Sequence, residues 1–520
     1  MLGIRNAVRA LQAVGSSYML SPKESDRHSE RTGSRDPAFS KEVWTGSVMS
    51  WILYLLWTDL LSYCLSSIIS FREHRYMCIR IRRFKAEPEG THFYHSHHGT
   101  QRTDGLFGPL VVLPKPDKVR TDIPKVDKDY VMTLTEWNRE HSSLELALLR
   151  TAKTERIGLD PNSSVCFLST HGPDGTAMGT IPFHSALING KGHYFPDRGD
   201  IPLIPVLPLE TFKVKQGKFY RFRIINAGQI YPFRVSIDQH RIAVIATDGF
   251  DTEPEVAESV IIGNGERFDI LVHADQPVDN YWVRVETLER TRDDVPMKPG
   301  KSFAILRYDG APDERPDSRR EECTRQRHCK IINCPFRQFS KTEYLDCTHV
   351  TDLHSTKDTM ERFPTPVRTD NSYVEETFLN FHFAGYGRNP IGPVLSGRRF
   401  KLPTCPPQVT ENPDTCIDDC NAKDCTDWCH CTNIKVLKVD QANQFVLVND
   451  GNLRSGMIHS VHLHGHSFHV VKVGYPSVDP DTGIITEPTK DFKCNGVSCQ
   501  YPVWSDPAWK NGDISGLNIR

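Results

Sequence analysis

The sequence lacks a surplus of charge of either sign. Lysine and arginine number 63 against 65 aspartates and glutamates, a formal net charge of −2 over 520 residues. No basic field steers the chain toward a polyanion, so no nucleic-acid partner is expected. Convincing amphipathic helices are also scarce, and the best is "HSSLELALLRTA" at residues 141–152. Regular pairs of CxxC knuckles are missing. The grouping Cys425, Cys429, His430 and Cys431 therefore reads better as disulfide staples than as a zinc site. One apolar run, residues 48–71, is long enough for a bilayer, with Asp59 as its only charge. It lies too far from Met1 for an ordinary cleaved signal peptide. A membrane anchor and a stretch outside the mature fold both remain open for it.

Cysteine, by contrast, is plentiful: fifteen residues, and clustered. Cys323, Cys329, Cys334 and Cys347 form one group, Cys405 to Cys431 another, and Cys494 with Cys499 a close pair. Such clusters suit an oxidising compartment. With the glycosylation acceptor at Asn162 they point to the secretory pathway, extracellular or membrane-anchored with the folded domains outside.

Short apolar–polar runs bounded by turn dipeptides dominate from Arg83 onward. "FYRFRIINAG" (219–228), "ERFDILVHAD" (266–275) and "FLNFHFAG" (378–385) read as strands, and Asn189-Gly190, Asp248-Gly249 and Asp450-Gly451 as turns. The class expected is all-β, sandwich or barrel. Charged, proline-rich stretches at 114–128 and 311–322 read as linkers. Behind a region 1–82 of different texture, they divide the chain into a short piece 83–116, a middle domain 127–310 and a last part 323–520.

Two histidine motifs carry the chemistry. "HSVHLHGHSFH", residues 459–469, packs five imidazoles into eleven positions between apolar flanks. On an extended strand His462, His464 and His466 share one face and His459 takes the other. Buried imidazoles without partners are costly, which favours metal ligation over a merely polar strand. Far upstream, "GTHFYHSHHGTQRTDGLFGPLVVLP" (90–114) places His95 and His97 two apart on a second apolar strand. One polynuclear site between the first and last domains is the economical expectation. Neutral imidazole suits copper, zinc or iron.

These motifs resemble those of the multicopper oxidases, specifically laccase-like members of animal type. "GTHFYHSHHGTQRTDGLFGPL" is similar to the family's second histidine motif. "HSVHLHGHSFHVVKVGYP" is similar to the third, with Ser460 where proline is usual. "ALINGKG", "RFRIINAG" and "GERFDILV" resemble the middle domain, and "GRRFKLP" and "PVWSDPAWKNG" the last, so the likeness spans about 83–520. The resemblance implies cupredoxin-like Greek-key barrels, one complete in the middle and two incomplete. It implies a copper-dependent oxidoreductase of laccase type. A phenol or aromatic amine would be oxidised and dioxygen reduced to water. By motif, His95, His97 and His464 would ligate type 3 coppers, His462 the type 2 copper and His459 the type 1 copper. Two alternatives stand beside this: an oxidase of ferrous or cuprous ions, and a non-catalytic secreted or membrane-tethered binding protein. The family's first motif, an HxHG strand ahead of His95, and its fourth, HCHxxxH, do not occur in these residues. As written, the chain is therefore expected to be inactive or incomplete as an oxidase.

Overall fold

In the computed structural model the described residues are 84–137, 170–171, 177–179, 185–193, 208–288, 300–362, 374–384, 392–401, 403, 429–437, 442–449, 459–470, 472–495, 501–504 and 518–519. The helix expected at 141–152, the apolar run 48–71 and the acceptor Asn162 lie outside them. Among the described residues the architecture is nearly all β. The one α-helix is Lys357–Arg362. Among the described residues no helix is long and apolar enough to cross a membrane.

The strands begin with β1 (Gly90–His95) and β2 (Phe107–Val112), an antiparallel hairpin whose register runs from Gly90↔Val112 to His95↔Phe107. Next come β3 (Val126–Glu136), the small ladder β4 (Thr170–His171) and β5 (Ala177–Gly179), then β6 (Ala186–Ile188) and β7 (Glu210–Val214). The chain continues through β8 (Phe219–Asn226), β9 (Phe233–Ile237), β10 (Ile242–Thr247), β11 (Phe250–Ala257) and β12 (Ser259–Ile262). β13 (Arg267–His273), β14 (Asn280–Thr287), β15 (Lys301–Tyr308), β16 (Cys329–Ile332) and β17 (Leu345–Thr348) follow. Two sheets face each other: six strands ordered β11-β10-β13-β8-β3-β6, and seven ordered β17-β16-β12-β9-β14-β15-β7. β3–β8 and β7–β15 pair in parallel, so the chain crosses between neighbours rather than meandering.

Alternation explains the core. β14 turns Tyr281, Val283 and Val285 inward, while Trp282, Arg284 and Glu286 stay half-buried outside. Phe222, Ile224, Phe233, Val235, Phe268 and Ile270 meet them from the neighbouring strands. β13 departs from this pattern, because everything from Phe268 to Val272 is buried. Its outer face, with that of β8, is covered by β1 of the hairpin. Asp269, 1% exposed in its side chain, accepts hydrogen bonds there from Thr91 Oγ1 at 2.7 Å and Arg223 Nη1 at 3.1 Å, and from Arg221. Arg267 Nε donates to the Thr91 carbonyl at 3.2 Å. Gly90, at φ +128°, comes so close to the Gly249 carbonyl that a side chain has no room.

Segment 311–353 wraps the same sandwich. Ser318 Oγ donates to Asp238 at 3.0 Å, and β16 and β17 extend the seven-stranded sheet in parallel. Two disulfides, Cys323–Cys329 and Cys334–Cys347, clamp this extension. The third region is thinner. A five-stranded sheet of β18 (Val374–Ala384), β19 (Gly392–Leu395), β20 (Arg398–Phe400), β21 (Cys429–Cys431) and β22 (Ala442–Asn449) has the order β21-β20-β19-β18-β22. Phe445 and Leu447, on one face of β22, remain 37% and 41% exposed, so that face has no apolar cover among the described residues. Among the described residues the middle region forms a two-sheet sandwich, while the first contributes one hairpin and the last a single five-stranded sheet with small two-stranded ladders.

Replacing Asp269 by alanine strands two arginines in a buried site and is expected to destabilise the chain by about 3–5 kcal/mol. Urea unfolding measures it, and a loss below about 1 kcal/mol would show the cluster to be dispensable. Cys334→Ser with Cys347→Ser is expected to cost about 2–4 kcal/mol in the same experiment under oxidising conditions.

Candidate metal centre

His95 is the last paired residue of β1, and Ser96 begins the loop to β2. Ser96 is buried, its N–H donates to Leu106 O at 3.0 Å and its Oγ to Gln101 Oε1 at 2.6 Å, and it accepts from the His98 N–H. Pinning Ser96 leaves its two neighbours on one side. The rings of His95 and His97 stack with centroids 4.6 Å apart. The two-residue spacing does here what an extended backbone predicts.

The second motif reaches the same place by a different route. Residues 459–468 are not a strand; only His469–Val470 pairs, with Asn518–Ile519. The expected alternation fails because the chain turns at His464-Gly465, with Gly465 at φ +72°. A left-handed residue breaks a two-residue repeat, and glycine adopts it without strain. The flanks Val461 and Leu463 are 47% and 41% exposed rather than buried. Even so, His462 and His464 meet edge to face at 4.7 Å, and the His464 ring lies 4.5 Å from that of His97. The Nε2 atoms of His464 and His97 are 2.6 Å apart.

Four of the five histidines singled out in the sequence thus form a continuous row, His95–His97–His464–His462. His459 does not join it. Its ring meets Phe381 edge-on at 6.0 Å and its Nδ1 lies 2.6 Å from Ser460 O. His466 is exposed beyond the Gly465 turn. Among the described residues no three histidine, cysteine, aspartate or glutamate side chains are set to grasp one ion, so the row is open rather than a closed shell. Cys431, in the "CHC" segment, is disulfide-bonded, as its cysteine-dense setting suggests.

The electrostatics suit ligation. Burial pulls His95 down to about 4, helped by the charge of Arg102 and by the neighbouring imidazoles. Burial likewise lowers His97 and His462, with His464 adding to both and Arg267 to His462. Imidazoles held neutral keep the lone pair a metal needs. His95 Nδ1 donates to Ser96 O at 3.1 Å, which leaves Nε2 as its acceptor nitrogen. Arg267 and Arg102 shape this field, and neither stands out in the sequence. An arginine in a loop or at a strand end looks like a solvated charge until its partners are known.

Family models described as multicopper oxidase match residues 80–117, 128–311 and 403–509, together more than half of the chain. Laccase-4 of Thanatephorus cucumeris is 34% identical over 231 residues, 44% of this chain and 38% of that protein. Laccase-3 of the same organism is 29% identical over 425 residues, 74% of this chain and 64% of that protein. Laccase-1 of Agaricus bisporus is 33% identical over 228 residues, 44% and 38% of the two chains. The chain thus spans less than two thirds of the length of these curated relatives. Among solved structures, Fet3p, a multicopper oxidase that functions in iron import, aligns at 13% identity over 61% of this chain and 46% of its own, with a TM-score of 0.41. A laccase from Botrytis aclada aligns at 23% identity over 59% and 46%, with a TM-score of 0.37. With three family models matching in sequence order and both histidine motifs in place, this chain belongs to the multicopper oxidase family.

Proposed function

We propose that the chain carries copper-binding histidines of a laccase-type copper-dependent oxidoreductase, a class acting on phenols or aromatic amines with dioxygen as acceptor, and is incomplete as an oxidase in these residues. The observation that carries the reading is the meeting of His97 and His464, 367 positions apart in sequence, with their Nε2 atoms 2.6 Å from each other. The donor set fits copper: borderline-soft imidazoles, with His95, His97 and His462 lowered by partial burial, in a row long enough for more than one ion. His95, His97 and His464 are proposed as type 3 ligands, His462 as the type 2 ligand and His459 as the type 1 ligand. In a complete set of such sites copper would supply one-electron oxidation of the substrate and reduction of dioxygen to water.

The chain's own contribution is orientation. The His95 tautomer is fixed by Ser96 O, and the Nε2 atoms of His97 and His464 face each other. The disulfides support the secretory pathway as the place of folding. A blue site also needs a cysteine thiolate with two histidines. Within these 520 residues no HCHxxxH segment supplies it. The proposal therefore separates copper binding, which this chain performs, from turnover, which needs the two further motifs.

Titration of the whole chain with Cu(II), read by nitrogen hyperfine splitting in electron paramagnetic resonance, is expected to show several imidazole ligands. His97→Ala or His464→Ala is expected to weaken binding by at least about tenfold, since outer partners of such ligands alone are worth that much. His459→Ala leaves the row's affinity as it was; equal affinity in all three variants would refute the site. Oxygen uptake with a methoxyphenol, an aromatic diamine or ferrous ion is expected to stay at the level of free copper. Blue colour with substrate-dependent uptake would overturn the incompleteness and keep the lineage, and uptake with ferrous ion alone would favour the metal-oxidase alternative.

A further inference from the structure

Arg102 ties the loop between β1 and β2 to the middle sandwich. Arg102 Nε donates to Ala227 O at 2.9 Å and its Nη2 to Gly228 O at 2.7 Å, while its guanidinium lies 5.3 Å from the centre of the Phe93 ring. The two carbonyls are held rigidly from beneath. Asn226, fully buried, accepts from the Gly228 N–H at 3.0 Å and donates to Tyr231 O and Ile262 O. Glu136, at the end of β3 and buried, accepts from the N–H groups of Gln229 and Ile230 through Oε1. Its Oε2 has no hydrogen-bond partner among the described residues and packs on Gly228, where a Cβ would collide with it. Glu136 is also the charge that offsets the burial of Arg102.

On the other side of Arg102 the loop is tightly self-bonded. Gly105 N–H donates to Arg102 O at 3.0 Å, Leu106 N–H to Gln101 O at 3.0 Å, and Gln101 Oε1 takes the Ser96 hydroxyl. Force applied at Arg102 therefore reaches Ser96, and Ser96 sits between the two imidazoles.

We propose that Arg102 is a positioning residue for the His95–His97 pair, its guanidinium fork locking their loop onto the Ala227 and Gly228 carbonyls, whose turn Asn226 and Glu136 hold from beneath. The inference rests on the copper reading for its purpose and on geometry alone for its existence. A planar fork reaches two carbonyls at once, and an ammonium does not reproduce that grip.

The experiment uses the full chain with Arg102→Lys, Glu136→Gln and, as a control clamp remote from the histidines, Arg120→Lys. Arg120 also grips a carbonyl, Ile245 O at 2.6 Å. Two readouts are taken: Cu(II) affinity with its nitrogen hyperfine pattern, and amide hydrogen exchange across residues 95–106. Arg102→Lys is expected to weaken copper binding by about tenfold, the scale of lost outer-shell support. It should also alter the hyperfine pattern and speed exchange in 95–106 while β14 and β15 stay protected. Glu136→Gln shifts both readouts in the same direction and by less. Arg120→Lys leaves the copper spectrum unchanged. Wild-type affinity and loop exchange in Arg102→Lys would overturn the proposal, as would an equal spectral change in Arg120→Lys. Should the unsubstituted chain bind no copper, the site reading falls, and loop exchange alone decides the clamp: faster exchange confined to 95–106 upholds it, unchanged exchange removes it.

Discussion

Asp269 is the constraint on which the site depends. A carboxylate removed from water on the outer face of β13 is tolerable only because Thr91, Arg221 and Arg223 converge on it. Arg223 also grips Asp129 on β3, with Nη2 at 2.6 Å from Oδ2. Such a cluster gives little net stability compared with apolar packing of the same volume. What it provides is register. Thr91 has one seat, so β1 has one position on the sandwich, and His95, four residues further, has one height above it. The tight Gly90–Gly249 approach closes the other end of that seat. A hairpin of two six-residue strands holds little structure by itself, and here the large middle core lends it the rigidity a ligand platform needs.

The charges around the histidines follow from the same docking. Arg267 donates to Thr91 O, Gly265 O and Asp248 O, so it stands under the hairpin with its donors satisfied by the hairpin and the neighbouring turns. Its positive field, with that of Arg102, adds to burial in keeping His92, His95 and His462 uncharged. Fixed cations near metal ligands repel an incoming ion, yet they also prevent protons from occupying the same lone pairs. The balance would favour a metal only where several neutral nitrogens act together, and burial lowers three of the row, His95, His97 and His462.

Much of this was legible in the sequence and some was not, for physical reasons. The period-two burial of Tyr281, Val283 and Val285 is local, and local pattern reports it faithfully. The side-by-side rings of His95 and His97 are equally local. The Gly465 turn was hidden because "HLHGH" fits a strand or a turn equally well, and glycine decides only once the backbone is known. The segment at 311–322 reads as a linker from its prolines and charges, yet Ser318 and Arg320 bond to Asp238 and Glu286 on the sandwich. β16 joins β12 in parallel across some seventy positions, a pairing without any signature in either strand. Arg102 was invisible for a related reason, since both its acceptors are backbone carbonyls, and backbone acceptors leave no trace in composition.

The two halves of the row differ in support, and the difference bears on how a metal would bind. His95 and His97 sit on a hairpin seated by Thr91 and gripped by Arg102. His462 and His464 sit on an irregular stretch whose apolar neighbours Val461 and Leu463 face solvent. Ordering a backbone residue costs about 1–2 kcal/mol, so the entropic cost of metal capture falls almost wholly on the 459–468 side. The first half is a template and the second is recruited to it. Affinity is then governed less by the number of nitrogens than by how firmly the neighbours of His462 are packed. Val461 and Leu463 have apolar surface left for such packing, 47% and 41% of it being exposed in this structure.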